Sequence, residues 1–148
     1  MPTRRQILAT GSALAAAAIL PARAQPRPAT PILFVHGNGD HAALWMTTLW
    51  RFEANGWPAD RLRALNFTDP LSRNDDAVAQ AGRSGTADQL RELSAEVDAL
   101  LSRTGASRLA LVASSRGGNA VRNFVVEAGG APKVSHAVLC GTPNRGVF

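Results

Sequence analysis

Residues 111–121 read LVASSRGGNAV, an apolar run that stops at two serines and resumes after two glycines. A strand-like run that breaks at small residues and resumes at helical spacing describes a strand turning sharply into a helix, which confines the chain to folds alternating the two. A turn that presents a side chain at its apex needs small residues two positions to either side, because larger ones collide across the bend. Ser115 meets that condition with Ala113 and Gly117, whereas Ser114 would have Val112 and Arg116. Ser115 is therefore the candidate nucleophile, carried over the carboxyl ends of the strands, where open α/β sheets hold their chemistry. The plainer alternative is a serine that only caps the following helix.

The remaining pattern agrees with that class. Ile32-Leu33-Phe34-Val35 is a short apolar strand running into the glycine loop His36-Gly37-Asn38-Gly39. Residues 42–53 carry Leu44, Trp45, Thr48, Leu49 and Phe52 at helical spacing and end at Asn55-Gly56 before Pro58. Residues 61–67 read as a strand, and 68–85 as a long polar surface excursion. Thr86 to Gln89 fits a capping box, followed by the apolar face Leu90, Leu93, Val97, Leu100 and Leu101 up to Gly105. Residues 109–112 and 134–139 read as strands and 117–127 as a helix. Strands separated by helices predict a parallel sheet with helices on both faces.

A serine hydroxyl is a weak nucleophile, so such a site also needs a base and donors for the oxyanion that forms on attack. The backbone N–H of Arg116 is one donor, and Asn38 in the His36-Gly37-Asn38 loop supplies a second if the two loops lie side by side. Asn38 has a plainer reading as a glycine-flanked turn residue. The Arg116 side chain faces the mouth of the site or is a solvated surface arginine.

Three motifs in order carry a resemblance. FVHGNGD is similar to the His-Gly oxyanion loop of the α/β-hydrolase fold, and LVASSRGG to its nucleophile elbow, with Ser114 where His is common and Ala113 where Gly is common. CGTPNRG resembles the Gly-Thr-Pro-His-x-Gly turn of bacterial lipases and esterases, with Asn144 in place of the His. The resemblance spans most of residues 31–146 and implies a serine hydrolase of carboxylic esters. In it Ser115 would form an acyl-enzyme, the Asn38 and Arg116 amides would hold the oxyanion, and His36, Gly37, Ala113 and Gly117 would support loop and elbow. Lipase, short-chain esterase, thioesterase and polyester depolymerase are not separable at this level.

The family order is Ser, then acid, then His. After Ser115 the chain offers only Glu127 and His136. The helix after the elbow carries Glu127 back toward the amino edge of the sheet, and His136 stands at the start of a strand that has yet to climb to the catalytic edge. His36 and His41 lie on the right edge but precede the serine. The expectation is a partial α/β-hydrolase fold: residues 31–148 form the N-terminal part of a longer domain, with little turnover alone and a weakly covered last strand.

Ahead of that domain, TRRQILATGSALAAAAILPARA combines paired arginines, an alanine-rich stretch and an Ala22-Arg23-Ala24 cleavage site. It resembles a twin-arginine (Tat) export signal over residues 1–24, departing from the common motif at Ile7 and Ala9, with a Sec signal or an uncleaved anchor as alternatives. Residues 25–30 form a Pro-rich linker. The implied destination is the periplasm or the exterior, reached through the Tat or Sec machinery. The formal charge of +5 owes much to Arg4, Arg5 and Arg23 in a leader without acids, so it makes no case for nucleic acid. The single Cys140 forms no internal disulfide and reads as a small buried residue. Asp69, Asp75 and Asp76 lack ligand spacing and read as a solvated loop, so neither metal nor cofactor is expected. Two rival readings remain: a noncatalytic hydrolase-like binding module, and a dinucleotide-binding domain built on Gly37-x-Gly39-x-x-Ala42. Oligomeric state is not legible.

Overall fold

A computed structural model describes residues 28–145. The leader at 1–24 and the first part of the linker lie outside the described residues. Strands β1 (Ile32–Val35), β2 (Leu62–Leu65), β5 (Leu109–Ser114) and β6 (Val134–Cys140) form one sheet in the order β2-β1-β5-β6, with every pair parallel. A second small sheet pairs β3 (Leu71–Ser72) with β4 (Arg83–Ser84). Helix α1 (Met46–Ala54) continues a 3₁₀ turn at Ala42–Trp45, α2 (Thr86–Thr104) precedes β5, and α3 (Arg116–Val126) follows it.

Both faces of β1 are covered, which is why its four residues are all apolar rather than alternating. On one face Leu33, Val35, Leu109, Leu111 and Ala113 pack with Leu93, Val97 and Leu100 of α2 and Ala120, Val121 and Phe124 of α3. On the other, Ile32, Phe34 and Leu62 meet Trp45, Leu49, Phe52 and Trp57. Phe34 stands between the Trp45 ring at 5.3 Å and the Phe52 edge at 5.7 Å, separations typical of favourable tilted aromatic contacts. The predicted parallel sheet with helices on both faces is therefore the observed architecture.

That aromatic layer covers β1 and β2 and part of β5 but stops short of β6. Along β6 only Val134 is buried; His136, Ala137 and Val138 are exposed, Val138 by 53%. Cys140, expected as a small buried residue, is exposed at the end of this strand, the outermost of the sheet among the described residues.

The capping box at the start of α2 is shifted by one residue from the sequence reading. Gly85 is the cap: its N–H donates to the Asp88 carboxylate at 3.0 Å, and the Thr86 N–H donates to Asp76 at 2.7 Å. A Cβ on Gly85 would lie 2.8 Å from Arg73 and 2.9 Å from Asp76, so bare backbone occupies the cap position and a loop carboxylate satisfies the helix amide. Gly105, with φ of 65°, ends the helix in the left-handed conformation.

The Asp88 carboxyl is held below the usual aspartate range, chiefly by the Gly85 amide and then by Arg91 and Arg73. A depressed folded value means that its contribution to stability is complete above the ordinary pKa of about 3.9 and is lost as pH falls through the lower folded value. Asp88→Asn is expected to flatten this acid limb while lowering stability at neutral pH. Thermal melting of both proteins across the acid range checks it, and parallel curves would refute it.

Candidate active site

The chain bends between β5 and α3 at Ser115, whose φ of 51° and ψ of −127° make it the only non-glycine with positive φ among the described residues. Such a conformation costs about 1–3 kcal/mol and persists only where its surroundings enforce it. Ser115 is exposed, whereas Ser114 is half-buried and paired with Cys140 in the sheet. The Ser115 N–H donates to the Cys140 carbonyl at 2.8 Å, fastening the bend to the end of β6. Gly117 is obligatory: a Cβ there would sit 2.8 Å from the Val35 carbonyl oxygen and closer still to that of His36. Ala113, fully buried, lies in the core beneath the bend.

The register of β1 on β5 pairs Val35 with Ala113, so two residues further on Gly37 meets Ser115. A Cβ on Gly37 would stand 2.9 Å from the Ser115 Cβ and 3.5 Å from its Oγ. Glycine at this position is what allows the loop to approach the serine. His36 is fully buried; its Nδ1 lies 2.9 Å from the Gly37 carbonyl oxygen and its Nε2 3.2 Å from the Phe67 N–H. Accepting from an amide at Nε2 requires the proton on Nδ1, so His36 is a neutral support with both nitrogens engaged. His41 is exposed, and its Nδ1 accepts the Ala43 N–H at 3.2 Å as the cap of the 3₁₀ turn.

Neither the Asn38 nor the Arg116 backbone N–H donates a hydrogen bond among the described residues. The Arg116 amide is one of the orphan donors at the start of α3, where the helix end also favours negative charge. One of these two amides thus lies in the His36-Gly37-Asn38 loop and the other directly follows the bend at Ser115.

The Arg116 side chain is partly buried rather than fully solvated. It turns into the 68–85 excursion, donating to the Ser84 carbonyl at 2.6 Å and the Ser84 hydroxyl at 3.3 Å, with a longer approach of 3.5 Å to the Pro70 carbonyl. Burial lowers its pKa, and Asp76 partly offsets that effect. Asn38 reaches the same excursion: its Oδ1 accepts the Ser72 N–H at 2.6 Å. Gly39 N–H donates to the Pro70 carbonyl at 3.0 Å, and Leu71, 41% exposed, has its Cδ2 within 3.1 Å of a Cβ built on Gly39. Sequence reading missed Pro70, Leu71, Ser72 and Ser84, whose only signal was the length of the polar segment.

Glu127 lies exposed just beyond the far end of α3, and His136 pairs with Ala110, four residues or about 13 Å of strand below Cys140. Neither approaches Ser115. The loop acids serve the backbone: Asp75 accepts the Ala77 N–H at 2.9 Å, and Asp76 caps α2. No group of three or more His, Cys, Asp or Glu side chains among the described residues could hold a metal ion. In the Gly37-x-Gly39-x-x-Ala42 loop the Gly39 amide is occupied by Pro70, and the next helix opens as a 3₁₀ turn capped by His41, so it offers no regular helix N-terminus to a pyrophosphate.

Residues 29–140 match the lipase (class 2) family. The chain belongs to that family. The mature form of the Bacillus licheniformis lipase BlEst2 superposes on this chain with a TM-score of 0.60 at 20% identity, covering 86% of this chain and 46% of that one. Phospholipase PlaB from Legionella pneumophila gives 0.58 at 20% identity, over 80% of this chain and 26% of its own. An extracellular α/β-hydrolase from a Paenibacillus species gives 0.52 at 13% identity, over 75% and 40%. At these identities the likeness is one of fold. The chain spans less than half the length of each of these three proteins.

Proposed function

We propose that this class 2 lipase chain carries the nucleophile and oxyanion half of an exported serine esterase. The observation that carries the reading is the exposed, strained Ser115 held against Gly37, with the neighbouring amides of Asn38 and Arg116 donating to no partner among the described residues. Ser115 Oγ attacks the carbonyl carbon of a carboxylic ester, the amides hold the oxygen that becomes negative, and collapse expels the alcohol and leaves an acyl-serine. Water then attacks the acyl group and frees the acid and the serine.

The proton taken from Ser115 and returned to the departing alcohol needs an imidazole oriented by a carboxylate. His36 and His41 are engaged elsewhere, and His136 lies at the wrong edge. We assign base and acid to a portion of the protein C-terminal to the described residues, a reading supported by relatives more than twice as long as the matched segment. The substrate is a small-molecule or lipid ester. The paired arginines and the Ala22-Arg23-Ala24 site support export by Tat, or by Sec, to the periplasm or beyond.

A fluorophosphonate probe applied to the whole protein is expected to label one residue. Peptide mass spectrometry should then find the phosphonyl group on Ser115. Labelling on Ser114, or none at all, would refute the reading, and in the second case the noncatalytic binding module takes its place.

A further inference from the structure

Resting on the esterase reading, we infer that the 68–85 segment is a strap that sets the spacing between the two oxyanion amides, with the Arg116 guanidinium as the positioning residue that fastens it. Both donors belong to residues whose side chain or neighbour is tied to the same short segment. On the loop side, Asn38 Oδ1 accepts the Ser72 N–H at 2.6 Å and the Gly39 N–H donates to Pro70 at 3.0 Å. On the elbow side, Arg116 donates to the Ser84 carbonyl at 2.6 Å and the Ser84 hydroxyl at 3.3 Å. The two sides are joined through the small sheet, which pairs Leu71 with Arg83 and Ser72 with Ser84, and through Arg83, which donates to the Ser72 carbonyl at 2.7 Å.

The strap is anchored at its far end. Arg73 pairs with Asp88 at 2.7 Å, Asp76 caps α2 at Thr86, and the Gln80 side chain accepts the Asn74 N–H at 2.7 Å. Ser84 itself is buried, 2% exposed, so its carbonyl and hydroxyl depend on protein donors. Arg116 has no carboxylate in ion-pair contact among the described residues; its planar fork reaches neutral oxygens that hold it in one orientation. Its own backbone N–H is one of the two open donors, so a guanidinium fixed to the strap fixes the direction of that amide relative to Asn38. An oxyanion hole depends on such distances, since a displacement of about 1 Å costs on the order of 100-fold in rate.

The test uses the whole protein, with active sites counted by fluorophosphonate titration and turnover expressed per titrated serine. Arg116→Met is expected to lower kcat per titrated site by about 10- to 100-fold with KM within about threefold, because the lost alignment matters in the transition state. Arg116→Lys, which keeps one donor for the Ser84 carbonyl, should recover part of the loss. Asn38→Ala releases the other end of the strap while keeping its amide, and combined with Arg116→Met it should cost less than the product of the two single losses. A role confined to stability would reduce the titrated fraction and leave kcat per site unchanged, and that result overturns the inference.

Two further measurements separate its failure from that of the esterase reading. Ser115→Ala still labelled by the probe would remove the esterase reading, whereas Ser115→Ala silent beside an Arg116→Met of normal kcat would remove only the strap. Hydrogen exchange gives a readout independent of turnover: in Arg116→Met the Gly39 and Ser72 amides should exchange faster while Leu93 to Leu100 of α2 do not change. Unchanged exchange at Gly39 and Ser72 overturns the strap as well.

Discussion

Ser115→Ala is expected to reduce ester turnover by the whole protein by about 10⁴-fold or more, the scale on which removal of a nucleophile is felt when the rest of the machinery acts through it. Ser114→Ala is expected to retain turnover within a few-fold, because Ser114 is a half-buried strand residue paired with Cys140. The contrast between adjacent serines isolates the hydroxyl from the general effect of losing a serine near the bend. A second variant reads the strain. Ser115→Gly removes the Cβ from a φ of 51° and is expected to be inactive yet more stable than the parent, by about 1–2 kcal/mol. A bend held in a costly conformation for the sake of one hydroxyl predicts that opposition of activity and stability. Chemical denaturation of the parent and both Ser115 variants would show it. A glycine variant less stable than the parent would mean that the serine side chain, not the strain, governs the bend.

Gly117→Ala is expected to destabilise the fold by at least about 2 kcal/mol and to lower the melting temperature by several degrees. The added methyl would lie 2.8 Å from the Val35 carbonyl oxygen and nearer still to that of His36, and both are main-chain atoms at the end of a central strand. No rotamer change relieves such a contact, so β1 or α3 has to move. Either movement separates the His36-Gly37-Asn38 loop from Ser115, so activity should fall with stability. Melting within about 0.5 kcal/mol of the parent would refute the close approach of loop and elbow, on which the proposed oxyanion geometry also depends.

Much of the scaffold was legible because its signals are local. Ile32 to Val35 is four apolar residues in a row, and the structure buries all four. Leu93, Val97 and Leu100 recur at helical spacing and face one core. Small residues around Ser115 indicated the bend, because steric limits at a sharp turn are felt within two residues on either side. The capping box slipped by one residue because Thr86 can cap a helix in principle, while Gly85 holds the cap position and the carboxylate on the Thr86 amide comes from Asp76, in a loop whose path no nearby residue indicates.

The strap was invisible for the same reason. Residues 68–85 have no apolar periodicity, and their order rests on hydrogen bonds to partners up to 46 residues away, such as Arg116 to Pro70. Cys140 was misread because small apolar residues are usually buried. Its exposure depends on which strand lies at the edge of the sheet and on where the aromatic layer over β1 stops.

The amino-acid sequence by itself determined the alternation of strands and helices, the apolar face that α2 turns to the core, and the single position where a serine could leave the backbone at a kink. These follow from contacts between residues a few positions apart. Tertiary structure alone decided that Gly37 lies against Ser115, that Arg116 reaches the 68–85 segment, and that among the described residues the amides of Asn38 and Arg116 go without partners. These are pairings across the sheet and its loops, and hydrogen bonds between polar groups leave no periodic trace in the chain before it folds.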